Sequence, residues 1–184
     1  SFFYWRDQSA AREMLGDGGL SFADLGRAKV LYLSAITLAI LPAAHRQALL
    51  DWLPDYRAGG GVFAFASNYR PPRLPSVDDE MALFGDTSEG AVLDRLAGFG
   101  VTSGALKRGA SGPLALDGSL SGPYAPASRV IDSTAAGDSF NAGYLGARLT
   151  GADEAKALMA GHALASRVVG VKGAILPRTD NSTG

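Results

Sequence analysis

The feature that most constrains this chain is an alternation of strand-like and helix-like runs. Residues 29–34, Lys-Val-Leu-Tyr-Leu-Ser, read as a buried strand. A helix is expected from residue 43 to about 56, with Ala44, Ala48 and Trp52 at helical spacing, and Gly59-Gly60-Gly61 ends it. Val62–Ala66 is the next strand, followed by the loop Asn68-Tyr69-Arg70-Pro71-Pro72 at its C-terminal end. This order points to a layered α/β fold, in which ligands bind beyond the C-terminal ends of parallel strands. After Leu74 the pattern stumbles. Pro75-Ser76-Val77 is too short for a strand, and Asp78-Asp79-Glu80 opens a helical run to Phe84. A second helix spans residues 89–98, residues 101–107 read as a strand, and Gly109-Ala110-Ser111-Gly112 is a turn. Two further helices are expected, one ending near Arg148 with Gly151 as its stop, the other covering residues 153 to about 169. Residues 170–175 are expected to close the fold as a loop and short strand.

The bulk numbers exclude several functions. With 184 residues the chain holds one sizeable domain or part of a larger one. Seventeen basic and 18 acidic side chains give a formal charge of −1, so nothing electrostatic argues for nucleic acid or an anionic membrane as partner. Cysteine is absent, which excludes disulfides and thiolate metal sites and fits a reducing compartment. The longest apolar run, residues 30–44, is broken by Ser34, Thr37 and Pro42 and falls short of a membrane span. The abrupt start at Ser1-Phe2-Phe3-Tyr4-Trp5, with no methionine and no secretory signal, leads us to expect a fragment.

Residues 130–143, Val-Ile-Asp-Ser-Thr-Ala-Ala-Gly-Asp-Ser-Phe-Asn-Ala-Gly, carry the chemistry. They read as a loop that becomes a helix, with a carboxylate just inside the turn. Ala135, Ala136 and Gly137 have no bulk, so a ligand can approach their N–H groups, which at a helix start suit an anion. An acid at that place, Asp138, makes sense if it takes a proton from, or orients, a hydroxyl that attacks a phosphate held by the amides. The plainer alternative is a first-turn charge that favours the helix dipole. The longer pattern Asp132-x-Thr134-Ala135-Ala136-Gly137-Asp138 favours the chemical one. His45, expected on a helix surface, and His162, either near a nucleotide or packed, have no metal-ligand spacing. A P-loop motif is absent, and Gly59-Gly60-Gly61 precedes its strand, so it is no dinucleotide fingerprint.

Asp-Ser-Thr-Ala-Ala-Gly-Asp-Ser-Phe resembles the C-terminal signature of the ribokinase-like, PfkB-type carbohydrate kinases. Phe3-Tyr4-Trp5-Arg6, residues 31–41 and Asn68-Tyr69-Arg70-Pro71 resemble, within that family, the kinases of 2-keto-3-deoxygluconate. The resemblance implies a three-layer α/β fold with a central, mostly parallel sheet, and ATP and Mg2+ as cofactors. It makes Asp138 the base and the turn Ala135, Ala136 and Gly137 the anion hole. Tyr4, Arg6 and Arg70 would meet the sugar acid; two guanidiniums suit a carboxylate, although each alone reads as a surface charge. Lys107, Gly109 and Gly173 fall on the nucleotide side, with residues 170–173 near the adenine. Glu80 matches an acid that organises magnesium through water, and acidic runs are otherwise simply solvated. The partners implied are a small sugar acid and ATP, in the cytoplasm, with a homo-oligomer allowed but not specified.

Three departures from the family follow. Its N-terminal part and lid have no counterpart before Ser1, an expected acid two places before Asn68 is Ala66, and a helix and strand expected between Leu74 and Pro75 are missing. The chain is therefore expected to be one partial kinase domain over residues 1–184, interrupted at those two places. Three alternatives compete: a kinase of fructose, ribose or a nucleoside, a truncated sugar-acid binder without catalysis, and a serine hydrolase on Gly137-Asp138-Ser139. The last needs a histidine base, and only His162 follows the serine.

Overall fold

The computed structural model describes residues 10–66, 77–101, 103–119, 122–173 and 176, with no account of the side chains of residues 78, 79, 82 and 83. The chain divides into two compact units, Ser1–Tyr69 and Arg70–Gly184.

In the first unit, β1 (Val30–Ser34) and β2 (Val62–Ala66) pair in parallel, Val30 opposite Val62 through Ser34 opposite Ala66. Parallel partners require a crossover, supplied by α2 (Ala35–Ile40) and α3 (Ala43–Ala58). A short α1 (Phe22–Gly26), opened by a Ser21–Asp24 capping box, precedes β1. β1 runs straight into α2 because the Ser34 hydroxyl accepts the Thr37 amide at 3.3 Å and caps the helix. Neither α1 nor α2 is among the elements expected from the sequence. The inward stripe of α3 lies one residue from the expected one: Ala44 and Ala48 are exposed, while Leu49, Leu53 and Tyr56 pack on Leu31, Leu33 and Leu41. The larger side chains bury more apolar area, so they set the rotation of the helix. Trp52 sits at the edge of this core, stacked between Phe22 (5.3 Å) and Tyr56 (5.0 Å). His45 is also not a plain surface residue, since its Nδ1 is buried without a hydrogen-bond partner.

In the second unit, α4 (Val77–Phe84) and α5 (Glu89–Gly98) share a core with a small antiparallel pair, β3 (Ala105–Leu106) and β4 (Leu114–Ala115). The expected strand over residues 101–107 shrinks to Ala105–Leu106. The Val101 amide bonds back to the Leu96 carbonyl and so finishes α5, and Gly104 bends at φ 138. α6 (Ala136–Leu149) and α7 (Glu154–Val168) form the tightest packing of the unit around Phe140, Tyr144, Ala157 and Leu158. Leu158 is fully buried, so its truncation to alanine belongs to the class that costs about 2–5 kcal/mol. The helices cross where each carries a glycine. A Cβ on Gly143 would lie 2.7 Å from the Ala160 carbonyl oxygen, and one on Gly161 would lie 2.8 Å from the Phe140 ring. Tyr144 donates to Glu154 at 2.7 Å across the same interface, and burial pushes its hydroxyl pKa well above the usual range. This contact ties the C-terminal half of α6 to the first turn of α7.

Candidate active site

The loop entering α6 is built from backbone outward. The Asp132 carboxylate accepts the Thr134 amide at 2.8 Å and the Gly173 amide at 3.0 Å. The Ile131 amide bonds to the Val169 carbonyl at 2.7 Å. Asp132 thus folds its own turn and ties it to the turn after α7. These bonds, Thr134 first, favour the ionised form and hold its pKa below the usual 3.8.

The chain then turns through Ala135 at φ 60, ψ 11, the one non-glycine residue with positive φ among those described. A left-handed L-residue costs about 1–2 kcal/mol. No side chain caps α6 at this N-terminus; the Ala136 amide bonds to the Ser133 carbonyl at 3.2 Å, and the first helical bond is Ser139 to Ala135 at 2.8 Å. Asp138 lies in the first turn with its side chain exposed.

Lys107, leaving β3, brings a cation to the same place. Its Nζ donates to Asn141 Oδ1 at 3.4 Å, one turn along α6 from Asp138. Gly137 makes room for it: a Cβ there would sit 3.3 Å from Nζ. Burial drives the ammonium pKa below the usual 10.5, and the charge of Asp138 opposes that shift. A half-buried ammonium beside the positive end of a helix is electrostatically costly unless an anion joins it. Lys107, Ala135, Ala136, Gly137 and Asp138 therefore converge, although they are separated by up to 31 positions in the sequence.

The other expected residues lie as follows. Gly109, at φ 55, opens a 3-10 turn directly after Lys107-Arg108, and Gly173, at φ 87, meets Asp132. Glu80 is half-buried on α4, with one carboxylate oxygen 3.0 Å from Arg95, which also holds Asp86 and stacks on Phe84. His162 faces the Ala125 carbonyl (2.7 Å) and Ser166 (3.3 Å) and packs on Tyr124 at 5.0 Å. Neither partner is Ser139, so these contacts give no support to a hydrolase triad. A cavity of about 600 Å³ runs along α7, lined by Tyr124, Arg129, His162, Ser166, Arg167 and Val171 among others. Tyr4, Arg6 and Arg70 lie outside the described residues. Two contributors went unassigned from sequence: Asp132, whose place two residues before Thr134 is a legible Asx-turn signal, and Asn141, which shares a helix face with Asp138.

Residues 74–181 match the model of the pfkB family carbohydrate kinases. The chain belongs to that family. This pfkB kinase chain is 38% identical to the 2-dehydro-3-deoxygluconokinase of Escherichia coli (strain K12) over 206 residues, 97% of this chain and 67% of the relative. It is 38% identical to that of Dickeya dadantii (strain 3937) over 205 residues, 96% of this chain and 66% of the relative. Among solved structures, adenosine kinase from Sinorhizobium meliloti matches with a TM-score of 0.70 at 20% identity, over 87% of this chain and 54% of that one. A probable sugar kinase protein from Rhizobium etli CFN 42 matches with a TM-score of 0.69 at 19% identity, over 87% and 54%. At those identities the structures establish the fold, which is ribokinase-like α/β. The pfkB chain spans about two-thirds of the length of its curated relatives and about half of the solved structures. Because the 206 aligned residues exceed its own 184, those relatives carry internal residues with no counterpart here.

Proposed function

We propose that this protein transfers the γ-phosphoryl group of ATP to the terminal hydroxyl of 2-keto-3-deoxygluconate in the cytoplasm. The observation that carries the reading is the convergence of the Lys107 ammonium, the side-chain-uncapped start of α6 and the exposed Asp138 carboxylate. Kinship with the 2-dehydro-3-deoxygluconokinases supports the choice of substrate.

In this reading the amides of Gly137 and Asp138 receive phosphate oxygens and meet the charge that develops on them. Asp138 takes or orients the proton of the hydroxyl. The oxygen then bonds to the γ-phosphorus as the bond to the bridging oxygen breaks, and ADP leaves. A carboxylate is a weak base for an alcohol, so orientation is a large part of its work. Lys107 and Gly109 lie along the phosphates, and Gly173 and the cavity beside His162 take the nucleoside end. Tyr4, Arg6 and Arg70 would hold the substrate carboxylate.

Magnesium, which the family implies, would neutralise phosphate charge. Among the described residues no group of three or more acids or histidines could cage it, and Glu80 is engaged by Arg95. The donor set fits an ion that arrives on the ATP phosphates and water, with Asp138 nearby.

A substrate panel tests the reading. With ATP and magnesium, sugar acids should be phosphorylated and fructose, ribose and nucleosides should not, since neutral sugars have no use for two arginines. Turnover of a neutral sugar alone would move the specificity elsewhere in the family. A second reading, a sugar-acid binder without catalysis, is favoured by Ala66 at the end of β2, where the family resemblance expects an acid. Binding of the sugar acid with background ATP turnover would select it.

A further inference from the structure

We infer that Arg108 is a positioning residue for the phosphate-side loop, fixing where the Lys107 ammonium stands over α6. This rests on the kinase reading above and extends it to a residue outside the reacting groups. Arg108 is mostly buried, and its guanidinium ties its own turn to α5 through three partner residues. Nη1 donates to Glu89 in the first turn of α5 at 3.1 Å, Nε to the Gly112 carbonyl at 3.1 Å, and Nη2 to the Ser111 carbonyl at 3.4 Å. The planar fork can hold a carboxylate and two carbonyls in one geometry, which an ammonium cannot.

The loop it grips is narrow in its options. The Ser111 amide bonds to the Arg108 carbonyl at 3.1 Å and the Gly112 amide to the Gly109 carbonyl at 3.2 Å, so residues 108–112 form one tight turn. Gly112 stands at φ 77, ψ 173, a region open essentially to glycine alone. A Cβ there would lie 2.4 Å from the Tyr124 ring. On the other side, the Lys107 carbonyl accepts the Val77 amide at 2.9 Å. Lys107 is thus held by its backbone from α4 while Arg108 braces the turn that follows. Arg108 acts through the backbone that aims Lys107. Without that brace, the Val77 contact alone fixes the backbone from which the Lys107 side chain starts.

Calorimetric titration of the intact protein with MgATP, and separately with the sugar acid, tests this. Arg108→Ala should weaken MgATP binding on the order of tenfold or more, the scale of a small misplacement, and leave sugar-acid binding unchanged. Arg108→Lys keeps the charge but not the fork, and should show most of the same loss. It also serves if the alanine variant fails to fold. Arg148→Ala removes an arginine from the far end of α6, where it pairs with Glu154 and the Ala152 carbonyl, and should leave nucleotide affinity at the parental level. Parental MgATP affinity in both Arg108 variants, or equal loss for nucleotide and sugar acid, overturns the positioning role. A parent protein that binds no nucleotide overturns the kinase reading and this inference with it.

Discussion

Two helices in the same unit begin in opposite ways. α7 starts as a stability-optimised helix does: Asp153 accepts the Lys156 amide at 2.8 Å, Glu154 adds a second acid to the first turn, and Lys156 closes an ion pair with Asp153 at 2.9 Å. α6 starts on a left-handed alanine, with no capping side chain and a half-buried ammonium held against its positive end. One start is capped by a side chain, while the other has only the first-turn acid Asp138 and no capping bond. The difference is what supports the site proposed above, because strain and unfavourable charge cluster at functional sites.

The contrast can be broken at four points. The largest effect belongs to Asp138→Asn, which should leave MgATP binding nearly intact and cut turnover by about 10²–10⁴-fold, the range of a lost general base. Steady-state kinetics with parallel calorimetry checks it, and a loss of a few fold would make Asp138 an ordinary first-turn acid.

Next is pH. Burial lowers the Lys107 pKa from 10.5, so the folded state binds that proton less tightly than the unfolded one. Its unfavourable contribution to folding is present while the ammonium is charged and is relieved as pH rises through the lowered value. Nucleotide binding responds in the opposite sense, because phosphate stabilises the ammonium. MgATP affinity should therefore fall on the alkaline side before an ordinary lysine titrates, and Lys107→Met should flatten that fall.

The third is at α7. Asp153→Ala should cost about 1 kcal/mol of stability in denaturant unfolding and leave nucleotide affinity alone. Ala135→Gly is the smallest: relief of the left-handed strain, set against added backbone freedom, should stabilise the fold by about 0.5–1 kcal/mol. A destabilised glycine variant would mean that Ala135 is not strained.

Much of this was legible in the sequence. The small residues of the Ala-Ala-Gly turn, followed by an acid, announce a loop that becomes a helix, and α6 starts there; α5 falls on its expected residues. The rotation of α3 was not legible, because spacing alone does not say which of two adjacent stripes carries the larger side chains. The strand expected over residues 101–107 was misread because Val101 closes a helix. Most telling is Lys107: Lys-Arg-Gly signals a turn, but only the β3–β4 pairing and the glycine at position 137 carry its ammonium to α6. Asp132 could have been found from its Asx-turn spacing. The Arg108 clamp could not, since its partners are backbone carbonyls and an acid 19 positions away.

The most direct test is a structure of the complex with ADP and magnesium. The account predicts terminal phosphate oxygens within about 3.2 Å of the Gly137 or Asp138 amide and of Lys107 Nζ, with the Asp138 carboxylate facing the vacant transfer position. A nucleotide tail seated away from α6, or an Asp138 carboxylate directed elsewhere, would contradict it.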